Sequence, residues 1–219
     1  MGTRTAPPPL FWQSTLFGAE APSIDHNFST VERFRLDAES WIDVVPGWLA
    51  GADEVFAQLV AHARWSHRDR VMWGNRVPEP RLSAGWRKGR VPDVAPALVE
   101  ARASLSVRYG IEFNSGGLNL YRDGRDSVAW HRDRIAKTIA HPLVGILTLG
   151  STRRFLVRPY GGGRSIRFDP GPGDLLVTGG LMQREWEHCV PKTADAGPRI
   201  SVTFRHSQRR AEAAPPGPS

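Results

Sequence analysis

The chain has 219 residues, room for one ordinary domain with a sizeable core, and a single cysteine, Cys189, which excludes an internal disulfide and a zinc site built on several thiolates. A formal net charge of +7, with Arg supplying all but three of the 29 basic residues, suits a polyanionic partner bound through guanidinium forks, although a solvated basic surface gives the same count. No apolar run approaches the ~18 residues of a membrane span, and the opening MGTRTAPPPLFWQSTLF lacks the pattern of a secretory leader, so the expectation is a cytoplasmic protein, monomeric and without a membrane partner.

Residues 1–35 mix Pro, Ser, Thr and scattered charge without periodicity and are expected to be a flexible segment; the tail over 207–219, rich in Pro, Gly and Ala, is expected to be disordered. The domain is placed over 36–206. It opens with the apolar run WIDVVPGWL from Trp41, followed by ADEVFAQLVAHARW, in which Val55, Leu59 and Ala63 share one helical face. Residues 66–95 are polar, basic and broken by Pro and Gly, with Trp73 and Trp86 embedded, and read as an ordered functional loop region. A second helix is expected after Pro96 through ALVEARASLSVRYG. From Gly117 the texture changes to short runs between turn signals: LNLY, VAWHRD, VGILTLG, RRFLVRP, RSIRFDP, DLLVTGG and RISVTFRH. The fold class is α+β, mainly β: two helices packed on an antiparallel sandwich or barrel of jelly-roll type.

In VAWHRDR, His131 and Asp133 stand two apart, so on a strand both point to one face and could share an ion. His188, in REWEHCVP after another strand-like run, is the best third ligand. Two imidazoles and one carboxylate make a facial triad with open positions, the arrangement of non-haem Fe(II) oxygenases; a zinc hydrolase would use the same ligand types, and Arg-rich surroundings could simply pair Asp133. His26, His62, His67, His141 and His206 read as structural or solvent-facing.

The last strand, PRISVTFRH, alternates: Ile200, Val202 and Phe204 on one face, Arg199, Ser201, Thr203 and Arg205 on the other. Two guanidiniums on one face could hold a dicarboxylate by forked hydrogen bonds, their backbones being ~20 Å apart and their side chains leaning inward. Asn119 and Tyr121 in LNLYRDG share a face as well, and an amide and a phenol would add hydrogen bonds.

Taken in chain order, Asn119 and Tyr121, the His131/Asp133 pair, His188 and the Arg199–Arg205 strand resemble the AlkB family of Fe(II)/2-oxoglutarate dioxygenases. The resemblance runs from about Trp41 to Arg205 and includes VVPGWLA and the VPEPR stretch at Val77 to Arg81. It implies a double-stranded β-helix with an N-terminal nucleotide-recognition lid. It further implies that His131, Asp133 and His188 bind Fe(II), and that Asn119, Tyr121, Arg199 and Arg205, aided by Ser201 and Thr203, bind 2-oxoglutarate. O2 and 2-oxoglutarate are then consumed in oxidising N-alkyl carbons of 1-methyladenine or 3-methylcytosine type on alkylated DNA or RNA, as in DNA repair. Chemistry on a base requires that base unstacked and gripped between flat side chains; the residues assigned to that contact are Met72, Trp73, Arg81, Trp86, Arg132 and Ile135. Ile135 departs from the family pattern, which commonly has an acid there, and this puts the preferred base in question. Competing readings are an oxygenase acting on RNA, protein or a small molecule, and a non-catalytic nucleic-acid-binding module.

Overall fold

The computed structural model describes residues 7, 10, 20–72, 75–86, 95–133, 135 and 138–206, with the backbone alone for 70–72, 75 and 76. In chain order the elements are β1 (Ser23–Ile24), β2 (Glu32–Arg35), β3 (Ser40–Val45), β4 (Leu49–Ala50), α1 (Ala52–His62), β5 (Ser66–Met72), β6 (Asn75–Trp86), α2 (Pro96–Tyr109) and β7 (Ser115–Tyr121). There follow β8 (Val128–His131), β9 (Val144–Gly150), β10 (Phe155–Pro159), β11 (Ile166–Phe168), β12 (Leu175–Gly180), α3 (Met182–Glu185), β13 (Trp186–Val190) and β14 (Arg199–Arg205).

Both helices have local reasons to begin and end where they do. Asp53 and Glu54 in the first turn of α1 complement its positive end. Pro96 opens α2, where its missing N–H costs nothing, and Gly110 ends it at φ 65°, a left-handed conformation that a side chain disfavours.

An eight-stranded sheet of order β2-β3-β12-β9-β14-β7-β6-β5 faces a four-stranded sheet of order β11-β10-β13-β8, and β1 pairs with β4 apart from both. Each ladder is antiparallel, for example Ile200 of β14 between Leu120 of β7 and Leu149 of β9. Period-2 alternation divides the core in two. Leu147, Leu149, Ile200, Val202 and Phe204 leave the large sheet on one side and meet Val55, Phe56, Leu59, Leu98 and Leu105 of the helices. Val144, Ile146 and Leu176 leave it on the other side and meet Phe155, Val157 and Phe168 of the small sheet. The site lies between the sheets, among this second set.

Two expectations give way. Residues 20–35 belong to the fold: β2 is the edge strand paired with β3, and the Asp25 N–H donates to the Trp48 carbonyl at 2.9 Å. Charge on the exposed edge strand ERFR concealed it, since an edge needs no apolar alternation. Most of residues 1–19, and all of 207–219, lie outside the described residues. The stretch 66–86, read as loop, is the hairpin β5–β6 that extends the large sheet, with Pro78 and Pro80 on its outer part and a register irregularity near His67 and Asp69. Pro and polar residues are tolerated there because the end of a sheet leaves N–H groups without ladder duties.

Candidate active site

Antiparallel pairing sets His188 of β13 directly opposite His131 of β8, with ring centroids 4.3 Å apart. Between this pair and the Val190–Val128 pair the register shifts, so β8 carries an extra residue. The bulge lets Val128 and His131, three apart in sequence, line one cavity. Asp133 stands past the end of the strand, so alternation does not aim it as expected. Its backbone N–H instead donates to Oε1 of the buried Gln183 at 3.0 Å, and Nε2 of Gln183 donates to Thr178 Oγ1, also at 3.0 Å. One potential ligand atom from each of His131, Asp133 and His188 falls in a group whose members are all within 4.8 Å of one another.

The surroundings prepare these groups for a cation. Nδ1 of His131 lies 2.9 Å from the Ala129 carbonyl; donating there leaves the Nε2 lone pair free to ligate. His188 is buried against the Phe155 ring, with its Nδ1 lacking a hydrogen-bond partner. Burial, assisted by His131, pushes its pKa down to about 3, so the ring is neutral, as a metal ligand must be. Burial works against ionisation of Asp133, but the Arg205 guanidinium, 2.9 Å from Oδ1, together with the neighbouring His188 and His131 holds the carboxyl below its ordinary range.

The cavity is lined by Arg81, Asn119, Tyr121, Ser201, Thr203, Arg199 and Arg205 in addition to the triad. The polar face of β14 is therefore interior and not solvated: Arg199 is only 1% exposed. Its Nη2 donates to Thr148 Oγ1 at 3.0 Å, while Nε and Nη1 have no partner. Burial lowers its pKa to about 10, which still leaves a cation at neutral pH. An enclosed guanidinium with two unused donors is costly, and a carboxylate is the group that satisfies both. Tyr121 beside it is raised by burial and stays a phenol.

The two arginines divide the work. Arg205, which lines the cavity, donates to Asp133 and, through Nη1, to Thr203 Oγ1, so it braces a metal ligand. Thr203 is tied to Gly117 of β7 and positions Arg205; Ser201 lines the cavity. Asn119 Oδ1 accepts from Arg81 Nε and Ser83 Oγ, each at 3.2 Å, which turns the amide N–H groups toward the cavity. Arg81 also pairs with Glu79 at 2.9 Å.

Three residues assigned to base contact are placed elsewhere or partly so. Trp86 is a core side chain packed edge-on to Phe204, with centroids 5.8 Å apart, on the helix side of the sheet; it does not stack a base. Arg132 lies over the exposed Tyr160 ring and donates to the Arg184 carbonyl at 2.7 Å. Ile135 is half-buried against the cluster containing Ile146, Phe155 and Val190. Met72 ends β5 opposite Asn75 with its side chain outside the described residues, and Trp73 lies outside them altogether. Sequence reasoning missed Gln183 and Thr148. Thr148 left a signal, a polar residue inside VGILTLG; Gln183, in a four-residue helix, left none.

The fold and this donor set define a class, and comparison with known proteins agrees. The sequence profile of the 2OG-Fe(II) oxygenase superfamily matches residues 50–205, and the chain belongs to that superfamily. Within it the relatives are of AlkB type. The chain is 31% identical over 188 residues to alpha-ketoglutarate-dependent dioxygenase alkB homolog 3 of Bos taurus, covering 76% of this chain and 66% of that one. It is 34% identical over 189 residues to the DNA oxidative demethylase ALKBH2 of Arabidopsis thaliana, covering 68% and 60%. The chain thus spans slightly less than two thirds of these relatives' length. In fold it resembles a prolyl hydroxylase from Trichoplax adhaerens solved with a hypoxia inducible factor peptide, with a TM-score of 0.54 at 12% identity, covering 75% of this chain and 83% of that one. Membership implies Fe(II), 2-oxoglutarate and O2 as the reacting set. The residues fit: a neutral and partly orphaned imidazole within the triad, and an unsatisfied buried guanidinium beside it.

Proposed function

We propose that the protein is a 2-oxoglutarate-dependent dioxygenase that removes N-alkyl groups from nucleic-acid bases, with repair of alkylated DNA as its role. The observation that carries the chemistry is Arg199, buried with two unused donors in the cavity that holds the triad. The nucleic-acid substrate is supported by the names of the relatives, one of them a DNA oxidative demethylase, and by the net charge of +7.

His131, Asp133 and His188 would hold Fe(II), and Arg199, with Thr148, Tyr121 and Asn119 around it, would hold a carboxylate of 2-oxoglutarate. Bound together with O2, Fe(II) and 2-oxoglutarate supply oxidation of an N-methyl carbon to a carbinol that leaves as formaldehyde, with succinate and CO2 as co-products. The chain's own contribution is placement. Gln183 and Arg205 fix the Asp133 carboxylate from two sides, burial keeps His188 unprotonated, and Val128, Ile146, Phe155 and Val190 keep water from the cavity wall.

The test is release of formaldehyde and succinate from single-stranded and duplex oligonucleotides carrying 1-methyladenine, 3-methylcytosine, 1-methylguanine or 3-methylthymine. Stoichiometric formaldehyde from any of the four supports the reading. Succinate formation without formaldehyde from any of them overturns it.

A further inference from the structure

We propose that the cavity prefers electrically neutral N-alkylated bases to cationic ones, a specificity that rests on the dealkylation reading above. Three guanidiniums line the cavity, those of Arg81, Arg199 and Arg205. Asp133 is the carboxylate among the lining residues and is taken by Arg205, while the lining Arg81 is paired with Glu79, both at 2.9 Å. Arg199 therefore leaves a surplus positive charge, and bound Fe(II) and 2-oxoglutarate, a dication and a dianion, do not alter that balance.

The remaining wall offers a cationic ring no unpaired carboxylate. Val128, Ile146, Phe155 and Val190 are apolar, and Ile135, just beyond the triad in sequence, packs against the same cluster. Of the 22 acidic residues only Asp93 and Glu212 lie outside the described residues. Other carboxylates are occupied away from the cavity, Asp43 with Arg33, Glu187 with Arg158 and Asp126 with Arg122. Bringing a fixed positive charge into a partly desolvated cavity whose net charge is already positive is unfavourable. A neutral ring of the same shape avoids that repulsion.

Matched bases isolate the effect. 1-Methyladenine and 3-methylcytosine carry a positive charge at neutral pH, because alkylation occupies a ring nitrogen lone pair. 1-Methylguanine and 3-methylthymine exchange N–H for N–CH3 and stay neutral. Anaerobic titration of the Fe(II)- and 2-oxoglutarate-loaded protein with single-stranded oligonucleotides differing in that base gives binding ratios without turnover, and aerobic kcat/KM gives the same ratios in catalysis. The expected result favours the neutral member of each pair by roughly tenfold. Ile135→Glu, which adds a carboxylate outside the metal and co-substrate contacts, is expected to cancel that preference while leaving 2-oxoglutarate affinity unchanged. Asp93→Asn is expected to leave the ratios as they are. Equal or tighter binding of the cationic members by the unaltered protein overturns the proposal, as does an Asp93→Asn variant that gains neutral preference. Absence of turnover on all four bases sinks the dealkylation reading instead, and the anaerobic ratios still decide the charge preference.

Discussion

Arg199 shows how one side chain trades stability for binding. Its guanidinium is enclosed with two donors unused, so the ligand-free protein carries an uncompensated cation. Arg199→Met should therefore stabilise the ligand-free protein, by about 1–4 kcal/mol in chemical denaturation, because replacing a buried charge with a packed apolar chain removes the desolvation cost. The same variant should weaken 2-oxoglutarate by roughly a hundredfold or more, read by calorimetry. Gln183 acts on the metal through Asp133, to whose N–H it is the acceptor. Gln183→Leu is expected to lower Fe(II) affinity ~10–100-fold with 2-oxoglutarate affinity in the metal-free protein unchanged, and Gln183→Glu, which keeps an acceptor oxygen, to recover most of it.

Among the elements, β6 and β14 are joined across the helix side of the sheet by Trp86 and Phe204. Trp86→Ala should cost about 3–5 kcal/mol of stability, and at a temperature where the variant is folded its affinity for single-stranded oligonucleotide should match that of the unaltered protein. A large loss of affinity without loss of stability would return Trp86 to base stacking. At the end of β14, Nε2 of His206 accepts the Leu143 N–H at 3.0 Å, and burial holds its pKa below the ordinary 6.5. The unfolded chain takes up this proton first as pH falls. Stability should decline through and below about pH 6.5, with less decline in His206→Gln, which keeps an acceptor but does not titrate, as denaturant midpoints from pH 7.5 to 5.5 would show. The elements also show what was legible. β14 could be read whole, since strict alternation over seven residues gives both of its faces, and so could α1 and α2 from apolar spacing, Pro96 and Gly110. The hairpin β5–β6 could not, because a sheet end facing solvent has no apolar rhythm, and neither could β13 after its single-turn helix. Paired faces are visible in sequence; the aim of Asp133, set by a partner fifty positions away, is not.

For the molecule as a whole, charge is distributed between two tasks. Among the described residues Arg64, Arg68, Arg108, Arg154 and Arg164 are exposed, and binding to nucleic acid should weaken linearly in a plot of log affinity against log salt, with a slope that grows with the number of phosphates neutralised. Methylated-base discrimination measured across the same salt series should change far less, since the cavity guanidiniums are shielded from bulk ions. β14 ties these scales together. Its seven residues have no idle side: every second one seals the layer beneath the helices, and those between them equip the cavity. A strand with one wet face can drift at alternate positions without harm; this one can drift at none. Over evolutionary time a lineage could abandon the chemistry and keep the fold by exchanging cavity residues for apolar ones that fill the space between the sheets, as Arg199→Met would, whereas the face beneath the helices admits no such exchange.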